Sequence, residues 1–226
     1  MSLNLGRRTK RELVWMGTHH CTHRHTFLQH PECYVKENPE TQRTGFFDIE
    51  TYGLTADFGI VLCFSIKPEG NHGIISDVIT LKDIQAARAG DEDRRIVQSC
   101  IKALTQFDII ATHYGNNYRF DVPFVRTRAV AMGIDFPTYG TIKQYDTYPI
   151  LKAKFRLSRN RQEQAVRTLI GKTEKNHIDG RVWRAAARGD KQALSYVLDH
   201  NQRDCRDLER LWHVIKDYSK RQDTSI

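Results

Sequence analysis

The 226-residue sequence contains no long apolar run. Nothing in it approaches the ~18 consecutive apolar residues that a membrane-spanning helix needs, so no membrane partner is expected. The N-terminal stretch MSLNLGRRTKRELVW is basic but has neither an apolar h-region nor a small-residue cleavage site. No signal peptide is expected, and the chain is read as intracellular. Cysteines are few and odd in number: Cys21, Cys33, Cys63, Cys100 and Cys205. That irregular set argues against a disulfide framework and fits reduced thiols. Internal repeats and low-complexity segments are also missing. A single domain with a small appendage is the organisation expected for this length.

Acidic residues are in the minority, 27 against 35 Lys and Arg, and the net charge is +8. A basic chain of this size favours a polyanionic partner, usually nucleic acid. The excess is local. Between Leu151 and Lys191 there are twelve Lys or Arg and four Asp or Glu, so this one segment carries the whole net charge. Apolar residues recur through it (Phe155, Leu157, Val166, Leu169, Ile170, Val182, Trp183), which predicts a folded region with one basic face.

Residues 1–43 are polar and rich in His and are read as an N-terminal extension; residues 44–226 form the main domain. GFFDIE and FGIVLCFSI read as strands, HGIISDVITL as a third, and together they open a β-meander. Residues 83–106 have a helical pattern, with Asp91 a candidate N-cap. FDIIATHYG reads as a strand and DVPFVRTRAVAM as a helix. A short strand near Thr141 precedes a helix that begins within 145–155. The C-terminus is helical from about Asp190 to Tyr218, with a break expected near His200. The pattern predicts an α/β domain with a mixed central sheet flanked by helices.

Asp48 and Glu50 are two apart on the first strand, which points both carboxylates to one face. They repel each other there unless a cation holds them or the face is solvated. Asp121 opens a helix directly after a strand-to-loop transition, where an N-cap is the plain alternative. His200 and Asp204 are i and i+4 on one helical face. Asp199 and Asp207 lie close by, and spacing does not choose among the three acids. Four carboxylates suit a pair of Mg²⁺ or Mn²⁺ ions, which clamp the attacking and leaving oxygens of a phosphodiester displacement. A His or Tyr beside the fourth can orient or deprotonate the water.

These residues resemble the DEDD (DnaQ-like) 3′–5′ exonuclease superfamily, which has the ribonuclease H-like fold. FDIET is similar to its first motif, GNNYRFDVPF to its second, and HNQRD stands in the place of its third. The resemblance covers roughly residues 44–215. It implies that Asp48, Glu50, Asp121 and Asp204 are the metal ligands, that His200 activates the water, and that Asn117 shapes the substrate cleft. It also implies that Asp146, in YDTYPI, is structural. One departure stands out: the family pairs Tyr with three intervening residues or His with four, whereas this chain has His200 with three. Tyr196, a further turn back, is the second candidate for assisting the water. The aromatics Tyr114, Tyr118 and Phe120 are candidates for stacking on terminal bases. The expected substrate is DNA or RNA, presented as a single-stranded 3′ end. A non-catalytic nucleic-acid-binding module and an endonuclease on the same fold remain the rival readings.

One motif lies outside this scheme. THHCTHRHTFLQHPECY gathers His and Cys residues in 17 positions. Cys21, His25, His30 and Cys33 form a candidate Cys₂His₂ set for one structural Zn²⁺, with His23 in place of His25 as an open variant.

Overall fold

The computed structural model describes all residues except 1–4, 39–40, 89, 116–118, 174–177, 219–223 and 226. Six strands form one sheet in the order β3-β2-β1-β4-β5-β6. They are β1 (Thr44–Tyr52), β2 (Ile60–Pro68), β3 (Ile75–Val78), β4 (Ile109–Thr112), β5 (Lys143–Asp146) and β6 (Thr224–Ser225). Strands β1, β2 and β3 pair antiparallel as a meander, while β4 runs parallel to β1 and β5 parallel to β4. The mixed sheet expected from the sequence is therefore present.

Helices cover both faces, and the alternation of β1 shows why. Phe47 and Ile49 face a core built with α4 (Arg94–Leu104) and α5 (Asp121–Ala131). Phe46 faces the other way, onto a core built with α6 (Thr147–Lys154), α7 (Gln162–Leu169) and α9 (Lys191–Ile215). Asp48 and Glu50 share the parity of Phe46 and so point toward α9. That helix packs across β1 and β2, with α8 (Gly180–Ala187) beside it.

Three local readings are corrected. The 83–106 pattern is two helices, α3 (Leu81–Ala86) and α4, separated by a turn. Asp93, not Asp91, precedes α4, and it makes no side-chain cap. Its fully buried carboxylate instead accepts from Val61 N–H at 2.9 Å and pairs with Arg128 at 2.6 Å, tying α4, α5 and β2 together. The break expected near His200 is absent. α9 runs 25 residues without interruption, capped by Asp190, whose carboxylate accepts from Ala193 N–H at 2.8 Å. Its buried positions (194, 197, 201, 204, 208, 211 and 215 among them) recur every three or four residues, so the stripe continues straight through the polar stretch. No helix among the described residues is long and apolar enough to cross a membrane.

The extension carries α1 (Lys10–Thr18) and α2 (Pro31–Glu37). It is joined to the sheet by Arg8, which pairs with Asp108 at 3.3 Å and donates to the Thr41 carbonyl at 2.9 Å. The same Asp108 oxygen accepts from Arg43 N–H at 3.0 Å. These contacts lie where β1 and β4 begin.

Candidate active site

The carboxylates gather toward the other end of those strands. Parallel pairing of β1 with β4 stops at Phe46 and Ala111, so the distal half of β1 projects past its neighbour. A register irregularity follows Glu50, a common device next to functional sites for re-aiming side chains. Asp48 and Glu50 stand on this half, partly buried beneath α9.

The helix presents polar residues in the middle of its buried stripe. His200 Nε2 lies 3.7 Å from Glu50 Oε1 and 3.7 Å from Asp204 Oδ2, so the imidazole sits between two acids. Glu50, His200 and Asp204 offer ligand atoms within 4.8 Å of one another. Asn201 Nδ2 donates to Asp48 Oδ2 at 2.6 Å. Asn201, within HNQRD, was not among the expected site residues; a polar side chain inside an apolar helical stripe is the signal that marks it. The choice among neighbouring acids also becomes clear. Asp199 pairs with Arg203 at 2.7 Å. Asp207 is buried against Thr173 Oγ1 and Arg210, at 2.6 and 2.8 Å. Of the three, Asp204 is the one that meets His200. Tyr196 is exposed, one turn before His200.

Asp121 arrives from the opposite side as the first residue of α5, not as its N-cap. It is buried and accepts from the backbone N–H of Ile49, between the two β1 acids. Gly115 makes its seat: a Cβ there would collide with Asp121 Oδ2 and lie 2.8 Å from Thr112 Cβ. The turn is held by Val122 N–H and Gln144 Nε2, each donating to the Gly115 carbonyl at 3.1 Å. Burial pushes the Asp121 carboxyl up to about 8, aided by the charges of Asp146 and Asp204. Negative charge is thus in excess here and cation is wanted.

Asp146 is buried, and its Oδ1 accepts from Tyr114 N–H at 2.9 Å and Tyr148 N–H at 2.8 Å. That clasps the β4–α5 loop to the start of α6 and holds Tyr114 at φ +65°. Arg119 lies over both rings, 4.6 Å from the Tyr114 centroid and 4.4 Å from that of Tyr148. Tyr114 is half exposed, whereas Phe120 turns inward, its ring 5.4 Å from Phe124 on the core. Of the expected substrate-contacting residues, Asn117 and Tyr118 lie outside the described residues. On the remaining flank, Gln162 Nε2 donates to the Asp204 carbonyl at 2.8 Å, and His113 Nε2 bonds with the Asn160 carbonyl at 3.1 Å. The exposed Arg159 and Arg161, within the basic segment, flank these anchored residues Asn160 and Gln162.

With this geometry in view, a family model described as the RNase H superfamily matches residues 45–216, about three quarters of the chain. The chain belongs to the RNase H superfamily. None of the curated proteins compared with it matches. Membership makes it a nuclease-type domain with a nucleic-acid substrate, and its fold is one that usually uses divalent metal. The oxygen-rich set around Asp121 fits such ions: Mg²⁺ and Mn²⁺ take carboxylates, and a cation offsets the burial and the neighbouring charges that favour a proton on Asp121.

The burial of Asp121 beside other acids has a measurable sign. The folded carboxyl of Asp121, at about 8, lies above the ordinary unfolded value of ~3.9. The folded state therefore holds a proton that the unfolded state releases, and the associated stability is complete below pH ~4 and lost by pH ~8. Metal-free protein is expected to melt lower at pH 8 than at pH 5 through this group, in a field shaped by Asp48, Glu50, Asp146, His200 and Asp204. Added Mg²⁺ should raise the melting temperature more at pH 8, by ~3 °C or more, the shift that ~1 kcal/mol produces in a chain of this size. Melts in EDTA and in Mg²⁺ check this. The same pH dependence in Asp121→Asn would refute the role given to that carboxyl.

Proposed function

We propose that the chain is a 3′–5′ exonuclease that hydrolyses phosphodiester bonds of DNA or RNA with two divalent cations. The observation that carries this is the convergence of Asp48 and Glu50 from β1, Asp121 from α5, and Asp204 with His200 from α9. Asp48, Glu50, Asp121 and Asp204 would hold the ions. Two bound Mg²⁺ or Mn²⁺ ions would supply charge for the scissile phosphate and for the attacking and leaving oxygens.

The chain's own residues do the rest. His200, between Glu50 and Asp204, takes the proton from the attacking water. Asn201 fixes the direction of the Asp48 carboxylate through its short hydrogen bond. Gly115 leaves room for Asp121. Arg159, Arg161 and the exposed bases beyond them bind the nucleic-acid backbone as a salt-sensitive, sequence-independent surface. Tyr114 offers an exposed ring to the terminal base. A non-catalytic binding module is disfavoured, because a cluster of acids repels phosphate unless cations occupy it.

The test uses 5′-labelled single-stranded DNA and RNA with Mg²⁺, Mn²⁺ or EDTA. A metal-dependent ladder of shortened products, with circular single strands left intact, is the expected outcome. Cutting of the circles would make the enzyme an endonuclease. Binding without cleavage in any metal would move the reading to the non-catalytic module. In the same assay His200→Ala should slow hydrolysis ~10²-fold, the usual scale for a lost general base, with Tyr196→Phe close to wild type. The reverse ranking would transfer the role to Tyr196.

A further inference from the structure

The nuclease site makes no use of the His and Cys residues of the extension, yet the structure brings four of them together. Cys21, His23, His30 and Cys33 present ligand atoms that all lie within 4.8 Å of one another. The set differs from the sequence expectation in one member: His23 takes the place of His25. The reason is a tight turn. Arg24, at φ +67°, donates its N–H to the Cys21 carbonyl at 2.8 Å, and Cys21 N–H donates to the His25 carbonyl at 2.9 Å. The turn folds His23 Nδ1 back toward Cys21 and Cys33, whereas His25, exposed like His23, sets its ring 4.8 Å from that of His30. Cys33 enters from the first turn of α2, with His30 just before it.

Distances within the set fit tetrahedral coordination of one ion. Cys33 Sγ is 3.3 Å from His23 Nδ1 and 3.2 Å from His30 Nδ1, and Cys21 Sγ is 4.0 Å from His23 Nδ1. Tetrahedral zinc with Zn–S of ~2.3 Å and Zn–N of ~2.0–2.1 Å requires S···N edges of ~3.5 Å. Both cysteines are buried and neither is in a disulfide. Two thiols with two imidazoles are soft and borderline donors, unlike the carboxylates of the nuclease site.

We propose that Cys21, His23, His30 and Cys33 bind one Zn²⁺, and that this zinc is structural. Among the described residues, the buried core around it is Met16, Cys21, Phe27, Cys33 and Tyr34, with Leu5 and Val35 packed against it, so two of the five buried members are the thiols themselves. So few apolar residues do not hold a module of this length without a staple. The stapled module positions Arg8, whose guanidinium lies 5.8 Å from the Tyr34 ring centroid and which pairs with Asp108 where β4 begins. Four residues of β1 separate that end from Asp48, ~13 Å at ~3.3 Å per residue. All four zinc positions are filled by protein, which leaves none for a substrate.

The experiment is metal analysis of the full-length chain with cobalt substitution. Wild type, Asp48→Ala and His25→Ala should each hold about one zinc per chain. Their Co²⁺ forms should show tetrahedral d–d bands and thiolate-to-cobalt charge transfer. Cys33→Ser and His23→Ala should lose the zinc or bind it at least ~10-fold more weakly. Stripping zinc from wild type should lower its melting temperature, and readdition should restore it. Wild type that takes up no zinc on reconstitution overturns the proposal even where Cys33→Ser fails to fold. So does zinc that leaves with Asp48→Ala, or cobalt without thiolate charge transfer.

Discussion

Replacing Asp48 by asparagine is expected to cut metal-dependent hydrolysis by ~10³-fold or more while the chain stays folded. A metal held against a phosphoryl oxygen supplies several kcal/mol of transition-state stabilisation, and each ~1.4 kcal/mol is tenfold in rate. Asparagine keeps the shape of the side chain but removes the charge, so affinity for the ion falls without a cavity being left. The fold should tolerate the change. Asp48 is only partly buried, and its removal relieves repulsion among Glu50, Asp121 and Asp204 in the metal-free state. The measurements are kcat/KM over a Mg²⁺ series and a thermal melt in EDTA. A melting temperature equal to or above wild type, with activity lost, is the expected pair. Near-wild-type activity at saturating Mg²⁺ would remove Asp48 from the site, whatever the melt.

Gly115→Ala is expected to cost at least ~10²-fold in kcat while adding a single methyl group. The residue has no chemistry of its own. Its missing side chain is the space that the Asp121 carboxylate occupies, and its own carbonyl is pinned by Gln144 and Val122. A Cβ there must move either Asp121 or the turn, and displacements of about 1 Å cost on the order of 10²-fold in rate. Stability should also fall, by the ~1–3 kcal/mol typical of overpacking, because Thr112 closes the other side. Kinetics in Mg²⁺ and Mn²⁺ with a parallel melt separate the two effects. Unchanged kcat would mean that Asp121 is free to shift without consequence, which a ligand position does not allow.

Much of this site was legible because strand parity and helical spacing are local rules. Asp48 and Glu50 had to share a face once GFFDIE was a strand, and His200 and Asp204 had to share one once their segment was a helix. What the sequence left open needed contacts from elsewhere in the chain. Asp199, Asp204 and Asp207 look alike in a row; the site side is chosen by where α9 meets β1. Asp91 read as the helix start, whereas Asp93 precedes the helix and its carboxylate is claimed by Arg128, 35 residues away. A break was expected near His200, yet the helix continues, and Asp48 and Glu50 give Asn201 and His200 partners there. His25 was expected in the cluster with His23 as the open variant, and the left-handed residue between them turns His23 toward the thiols.

The sequence by itself determined the class of fold, the parity of the carboxylates on β1, the basic segment and the presence of a thiol–imidazole cluster. All of these follow from composition and from periods of two and 3.6 residues. Tertiary structure decided which acids meet, which histidine completes the cluster, and why residue 115 is glycine. Those outcomes depend on backbone approaches between residues distant in the chain, and no local period encodes such distances.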